Sequence, residues 1–208
     1  MNFNQFRNLR LMFLKEHKTQ DHAVILGDRP VLISAPHGVS QVRLGKQKVA
    51  EIGTIPFALT IQKKTNSHLI AKTKNSFDDA NFDEISKFKT KLQMMVENKN
   101  IAYLFDIHGL AKKREMDINL GINFGKSISS KPALFDTLVE NLKNAGFMVS
   151  IDQPFSGGPK TIAGSTNEKF NIWTVQVEIN SKITNNPENI SRLNKLINVF
   201  ENFINNLN

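Results

Sequence analysis

The segment IAYLFDIH, at residues 101–108, is a compact apolar run that ends in Asp, Ile and His. A run of this length and composition predicts a buried β-strand. Three other segments have the same character and predict three more strands. They are VLISAP (31–36), SHLIAKT (67–73) and WTVQVEIN (173–180).

Longer segments with helical spacing separate these strands. Apolar side chains recur at positions i, i+3 and i+4 in each of them, which predicts helices that pack one face on a core. These segments are 54–65, 83–98, 132–145 and 188–207, with apolar stripes such as Ile85, Phe88, Leu92 and Met95, or Ile190, Leu193, Leu196, Ile197 and Phe200. Gly146 is expected in the left-handed conformation that ends the third helix. Alternating strands and helices predict an α/β sandwich with a mixed, largely parallel sheet.

The composition narrows the chemistry. The chain has 208 residues, a net charge of +8 and no cysteine. Its length predicts a single domain spanning residues 1–208. Without cysteine there are no disulfides, thiolate zinc sites or cysteine nucleophiles, so any metal must bind to His, Asp or Glu. The positive charge suits nucleic acid, an anionic surface or an anionic substrate, but with six Arg and dispersed Lys it favours an ordinary solvated surface.

The hydropathy of the chain predicts a cytoplasmic protein with no membrane partner. Residues 1–18 lack the apolar core and cleavage site of a signal peptide. No stretch of 18 apolar residues is present to span a bilayer.

Side chains with catalytic or metal-binding chemistry end three of the predicted strands. In open α/β sheets, ligands bind beyond the carboxyl ends of the strands, where we expect His37, His108 and Glu178. His37 leaves its strand through a Pro–Gly turn and is either a metal ligand or a turn histidine bonded to a carbonyl. Glu178 is either a general base of elevated pKa or a buried carboxylate satisfied by donors.

Asp106 and His108 lie two residues apart, so they share one face of a strand. Such a pair orients the ring of a metal ligand, forms an acid–base pair, or is a structural ion pair. No nucleophile elbow, phosphate-binding loop or dinucleotide fingerprint is found in the sequence. Two separated histidines with nearby carboxylates match a catalytic zinc site that keeps an open position for water.

Six motifs, taken in order, carry a resemblance to a known family. They are SAPHGVSQVRLGK (34–46), DDANFDE (78–84), DIHG (106–109), MDINLG (116–121), QPFSGG (153–158) and VQVEIN (175–180). Over roughly residues 30–182 the chain resembles the N-formylglutamate amidohydrolases, relatives of the zinc carboxypeptidases and aspartoacylase-like deacylases. The resemblance implies a three-layer α/β/α sandwich of the phosphorylase/hydrolase-like type, with one zinc ion or another divalent metal.

The resemblance also assigns residues. It implies that His37 and His108 are the imidazole ligands and that Glu178, in the Q-x-E segment, is the general base. Glu51 is the expected carboxylate ligand. Asp106 is the alternative ligand and otherwise orients His108.

One departure concerns substrate binding. The family has Asn-Arg where this chain has Asn81-Phe82, so the guanidinium expected to bind a substrate carboxylate must come from elsewhere. Arg43 and Arg114 lie close to the motifs and are the candidates, and Gly157 and Gly158 form a turn that shapes the pocket or donates backbone N–H groups. The expected substrate-binding residues are therefore Arg43, Asn81, Arg114, Gly157 and Gly158.

These implications predict a zinc-dependent amidohydrolase that cleaves an N-acyl, including N-formyl, amino acid or a similar small acidic substrate. Two alternatives stay open. One is a metallo-carboxypeptidase or peptidoglycan-type amidase acting on a peptide. The other is a non-catalytic relative that binds an anion or nucleic acid, which would need a contiguous basic stripe. The sequence indicates no oligomeric state.

Overall fold

A computed structural model describes residues 1–207 of the chain. The strands are β1 (His22–Ile25), β2 (Val31–Ala35), β3 (Gln41–Arg43), β4 (Lys46–Lys48), β5 (His68–Lys72), β6 (Tyr103–Leu110), β7 (Ile118–Gly121), β8 (Val149–Ile151) and β9 (Trp173–Asn180). The helices are α1 (Phe3–Glu16), α2 (Thr54–Thr65), α3 (Lys87–Asn98), α4 (Pro132–Asn144), α5 (Ile162–Phe170), α6 (Ser181–Thr184) and α7 (Ile190–Asn205). Two short 3₁₀ turns, Lys126–Ile128 and Pro187–Asn189, complete the regular structure of this part of the chain.

Seven strands form one mixed sheet in the order β1-β5-β2-β6-β9-β7-β8. The central strands β5, β2, β6 and β9 run parallel to one another, and β7 runs parallel to β8. Strand β1 is antiparallel to β5, and β7 is antiparallel to β9. The predicted fold class is therefore confirmed. Strands β3 and β4 form a separate hairpin.

Helices cover both faces of the sheet, which makes three layers. Apolar side chains of α1, α2, α4 and α7 form the larger core on one face. A smaller core on the other face contains Phe88 and Leu92 of α3 and Ile162 of α5. We call this second side the α3–α5 face.

The alternation of side chains in β6 and β9 explains where polar groups enter the interior. Every second residue from Tyr103 and from Trp173 packs into the larger core, so the intervening residues point to the α3–α5 face. Along β6, Leu104 on that face is followed by Asp106 and His108. The α3–α5 face is thus apolar near the start of the strands and polar near their carboxyl ends.

The structure corrects two sequence predictions. Strand β6 continues to Leu110, two residues beyond its predicted end, so His108 lies within the strand and is in register with Glu178 of β9, which spans the predicted residues 173–180. Ile85 was predicted on a buried helix face, but α3 begins after the Ser86 cap and Ile85 is 84% exposed.

The other predicted helices appear close to their expected bounds. Gly146 follows α4 with φ 79°, in the left-handed region expected of it. Within residues 1–207, none of the helices combines the length and apolar character that a bilayer crossing requires.

Candidate metal centre

His108 is held by residues of the central strands. Its Nε2 lies 2.9 Å from Oδ2 of Asp106, two residues earlier on the same face of β6. The other oxygen of Asp106 accepts a hydrogen bond from the hydroxyl of Ser34 on the neighbouring strand β2. All three side chains are buried. Strand pairing therefore fixes the direction of the His108 ring and leaves its Nδ1 facing the cavity side.

His37 is held by a loop instead. It lies in the turn after β2, and its Nε2 is 2.8 Å from Oδ1 of Asp79, which belongs to the segment between β5 and α3. Oδ2 of Asp79 accepts a hydrogen bond of 2.7 Å from Nε of Arg43 on β3. The ring of His37 is thus oriented by a carboxylate distant in sequence, and its Nδ1 points away from Asp79.

Glu51, in the segment that precedes α2, lies beside the two histidines. Its backbone N–H donates to the carbonyl of His37 at 2.8 Å, and its Oε1 is 3.0 Å from Nδ1 of His37. The backbone N–H of Gly109 donates to Oε2 at 2.8 Å. A Cβ at Gly109 would lie only 3.0 Å from Cβ of Glu51, so the glycine lets the carboxylate cross close to β6.

The ligand atoms of His37, Glu51 and His108 all lie within 4.8 Å of one another. The two Nδ1 atoms are 3.2 Å apart, and each ring turns its Nε2 towards an aspartate. A carboxylate on Nε2 favours the tautomer with the proton there, which leaves the lone pairs of both Nδ1 atoms facing one point beside Glu51. Two imidazoles and a carboxylate are a known donor set for catalytic zinc, so the residues fit a single divalent ion. Asp106 lies on the far side of His108 and orients its ring.

The electrostatics of the site also favour a cation between the two imidazoles. Burial acts to lower the pKa of His108, but Asp106, Glu178 and Glu51 outweigh it and raise that pKa to about 10. The pKa of His37 is also raised, since Glu51 and Asp79 overcome the effect of burial. Four carboxylates thus favour positive charge where the imidazoles meet.

Glu178 lies beside this group on β9, opposite His108. It is buried, and burial is the main reason that its pKa is raised to about 7. Nε2 of Gln176 donates to Oε1 of Glu178 at 3.0 Å. Oε1 of Gln176 is buried and has no hydrogen-bond partner among residues 1–207. A carboxylate whose pKa lies near 7, and which a neighbouring amide holds in place, is suited to accept and return a proton.

A cavity of about 780 Å³ opens over the centre. His37, Glu51, His108 and Glu178 line it, as do all five predicted substrate-binding residues, which are Arg43, Asn81, Arg114, Gly157 and Gly158. Lys48, Lys113 and Lys160 also line it. Basic side chains therefore surround an acidic, metal-binding floor.

The two candidate arginines differ in their surroundings. The guanidinium of Arg43 lies 5.0 Å from the ring centroid of Phe82, and Nε is bonded to Asp79. Its terminal nitrogens have no hydrogen-bond partner in the part of the chain that the structure describes. The side chain of Arg114 is exposed at the cavity. Arg43 thus brings a guanidinium to the side of Phe82, where the family has its arginine.

Asn81 and the glycine pair have structural partners as well. Oδ1 of Asn81 accepts a hydrogen bond of 2.8 Å from the N–H of Ile162, the first residue of α5. Gly157 has φ 63° and packs against Gly121, while a Cβ at Gly164 would lie 2.1 Å from the carbonyl oxygen of Gly158. The glycine turn is therefore required by close packing as well as by the shape of the cavity.

Two residues of this site, Asp79 and Gln176, have no predicted role, although both lie within the family motifs. The Q-x-E spacing is the sequence feature that indicates a shared strand face for Gln176 and Glu178. Nothing in the sequence places Asp79 beside His37, because 42 residues separate them.

Comparison with known proteins supports the predicted resemblance. Residues 86–184 match the family model described as N-formylglutamate amidohydrolase, so the chain carries a domain of that family model over nearly half its length. The matched range includes His108 and Glu178 but not His37 or Glu51. No curated protein gives a significant match.

Solved structures share the fold. A gene product of Agrobacterium tumefaciens superposes with a TM-score of 0.67 at 12% identity, covering 94% of this chain and 98% of that one. A bacteriophage poly-gamma-glutamate hydrolase gives a TM-score of 0.56 at 15% identity, covering 94% and 92%. Succinylglutamate desuccinylase from Chromobacterium violaceum gives 0.55 at 12% identity, covering 89% and 67%. The chain therefore has the α/β fold that these proteins share with a metallo-carboxypeptidase from Burkholderia cenocepacia, which gives a TM-score of 0.56 at 11% identity, covering 94% and 67%.

Proposed function

We propose that this protein is a zinc-dependent amidohydrolase that cleaves the amide bond of an N-acyl amino acid or a similar small acidic substrate. The observation that carries the proposal is the convergence of His37, Glu51 and His108 within 4.8 Å, at the floor of a cavity that Glu178 also lines. The match to the N-formylglutamate amidohydrolase family model supports the reaction class.

In the proposed reaction, each residue has a defined task. His37, Glu51 and His108 would hold the divalent ion, whose chemistry when bound would be to activate water and to polarise the substrate carbonyl. Glu178 accepts the proton of the attacking water on a carboxylate oxygen and then delivers it to the nitrogen of the leaving amine. Gln176 keeps the carboxylate of Glu178 directed through its 3.0 Å hydrogen bond.

The cavity walls support an acidic substrate. The free terminal nitrogens of Arg43 form a planar pair of donors that suits a carboxylate. Arg114 and Lys113 add positive charge at the cavity. The phage hydrolase and the desuccinylase with the same fold are both named for glutamate-containing substrates.

The test combines metal analysis with a substrate screen of N-acyl amino acids and short peptides. The purified protein is expected to contain zinc and to hydrolyse N-acyl amino acids faster than peptides. Glu178→Gln should keep the metal and reduce turnover about 10²- to 10⁴-fold, the usual contribution of general acid–base catalysis.

Glu140→Gln is the matched control, since Glu140 is exposed on α4, and it should behave as wild type. Near-wild-type turnover by Glu178→Gln would show that Glu178 is not the base. A metal-loaded protein that hydrolyses nothing in the screen would contradict the proposed activity.

A further inference from the structure

Lys89 is a buried cation whose partners are both main-chain carbonyls. The residue is 5% exposed, and its Nζ donates to the carbonyl oxygen of Asp83 at 2.8 Å and to that of Lys160 at 3.2 Å. The other buried lysine, Lys72, instead forms ion pairs with Asp21 and Asp78. Burying an ammonium group without a contacting carboxylate is costly, so a specific reason for Lys89 is expected.

A lysine is also unusual at this position of the helix. It is the third residue of α3, and Ser86 caps the helix by accepting the N–H of Lys89. Negative side chains are favoured in the first turn of a helix, because the amide dipoles leave positive charge there. Local helix chemistry therefore disfavours a cation at this position, and a tertiary role has to outweigh it.

The two carbonyls belong to two neighbouring loops that both line the cavity. Asp83 follows Asn81 and Phe82 in the loop between β5 and α3, and Lys160 follows Gly157 and Gly158 in the loop before α5. We call these the 79–86 loop and the 152–161 loop. A single ammonium group bonded to both loops fixes the distance between them.

The charges around Lys89 explain why an ammonium is tolerated there. Burial lowers the pKa of Lys89, and Asp106, Asp83 and Asp79 oppose that effect by favouring the charged ammonium. Two of these carboxylates orient the rings of His108 and His37. Lys89 thus compensates negative charge behind the metal centre without contacting His37, Glu51 or His108.

We propose that Lys89 is a positioning residue that links the 79–86 and 152–161 loops and thereby sets the width of the substrate cavity. A second link reinforces it, since Oδ1 of Asn81 accepts the N–H of Ile162 across the same gap. Loss of Lys89 leaves the centre assembled but allows the two loops to move apart. The inference rests on the proposed function only where zinc affinity and substrate kinetics are used.

Hydrogen–deuterium exchange of the full-length protein, as purified, tests this link directly. In Lys89→Met, amide exchange in the 79–86 and 152–161 loops should rise together by about ten-fold or more, because a charge-assisted hydrogen bond to each loop is lost. Zinc affinity should fall by less than the roughly 10-fold expected when an orienting carboxylate is lost, because Lys89 contacts neither a ligand nor the side chains of Asp79 and Asp106. The matched control is Lys87→Met, an exposed lysine of the same helix turn, which should leave both loops protected.

Lys89→Gln covers the case in which Lys89→Met does not fold, since it keeps an uncharged amide donor on a side chain that is one bond shorter. It should show the same paired increase at a smaller size. Unchanged exchange in either folded variant, or an increase spread over the whole chain, would overturn the proposal.

Kinetics give a readout that a merely stabilising lysine would not move. For any substrate found in the screen, Lys89→Met should raise KM about ten-fold while kcat changes by less than about three-fold, as expected when uniform binding is lost. An equal fall in kcat with unchanged KM would also overturn the proposal. Because the exchange experiment needs no substrate, failure of the proposed function would not affect its outcome.

Discussion

The two imidazoles of the metal centre are supported in contrasting ways. His108 receives its carboxylate from Asp106 on its own strand, and that carboxylate is bonded to Ser34 on the adjacent strand. His37 lies in a turn and receives its carboxylate from Asp79, which Arg43 holds from the β3–β4 hairpin. One half of the centre is built by strand pairing in the sheet, and the other is assembled by loops.

This difference has consequences for stability. The residues of the His108 half are almost completely inaccessible, so a charge left without a partner there has no solvent to replace it. In the His37 half, Asp79 keeps Arg43 as a partner even if the imidazole is removed, and the Arg43 side chain is 33% exposed. Equal changes to the two imidazoles should therefore affect metal binding alike but folding differently.

The largest effects are expected from removing the imidazoles themselves. His37→Ala and His108→Ala should each abolish stoichiometric zinc binding, as measured by elemental analysis, because each removes a ligand. In metal-free urea unfolding, His108→Ala should lower the free energy of unfolding by about 3 kcal/mol, since Asp106 loses its buried cationic partner. His37→Ala should lower it by less than about 1 kcal/mol, because Asp79 remains paired with Arg43.

His17→Ala provides the control for these variants, since His17 lies at the end of α1 outside the cavity. It should keep full zinc content. Unchanged zinc stoichiometry in His37→Ala or His108→Ala would remove that residue from the ligand set. Equal destabilisation by both would show that the two halves are supported alike.

The next effect comes from the orienting carboxylates. Asp106→Asn and Asp79→Asn should each weaken zinc binding about 10- to 100-fold, the usual cost of losing a hydrogen-bonded partner of a metal ligand. In Asp79→Asn, part of this loss has a separate cause, because the charge of Arg43 is no longer neutralised beside the ion.

Arg43→Gln distinguishes the loss of Asp79 from the loss of Asp106. It should restore part of the zinc affinity in the Asp79→Asn background and none in the Asp106→Asn background. Competition with a chromophoric chelator measures the affinity. This is a double-mutant comparison of residues in contact against residues that are not. Equal behaviour of Arg43→Gln in both backgrounds would show that Arg43 does not act through Asp79.

The same contrast determines what the sequence could predict. The Asp106–His108 pair follows from strand periodicity alone, since residues two apart share a face. The alternation of strand and helix patterns predicted the fold class for a similar reason, because both patterns are local. Ile85 shows the limit of this reasoning. Its spacing fits the apolar stripe of the helix, but Ser86 caps the helix, so α3 begins at Lys87 and excludes Ile85.

The His37 half depends on contacts that sequence patterns do not encode. Glu51 entered the predicted ligand set through the family resemblance, and no periodicity connects it to His37. Asp79 and Arg43 meet across 36 residues, and this contact requires both the hairpin and the 79–86 loop to be in place. Such contacts arise from tertiary packing, so local periodicity could not have identified them.

The smallest expected effect tests how far the support of His37 extends. Arg10 of α1 donates from Nε and Nη2 to the carbonyl oxygen of Gly38, at 3.1 and 2.9 Å. Gly38 directly follows His37, so α1 anchors the turn that carries this ligand. Nothing in the sequence of residues 1–30 indicated such a role, because the contact joins residues 28 positions apart.

Arg10→Gln should weaken zinc binding about five-fold, which corresponds to about 1 kcal/mol for a lost hydrogen bond. The turn keeps its other anchor, the hydrogen bond from the Glu51 N–H to the carbonyl of His37. Arg7→Gln, at an exposed position of the same helix, is the matched control and should bind zinc as wild type does. If Arg10→Gln and Arg7→Gln bind zinc equally, α1 only packs against the core and the loop-built half of the centre ends at Arg43 and Asp79.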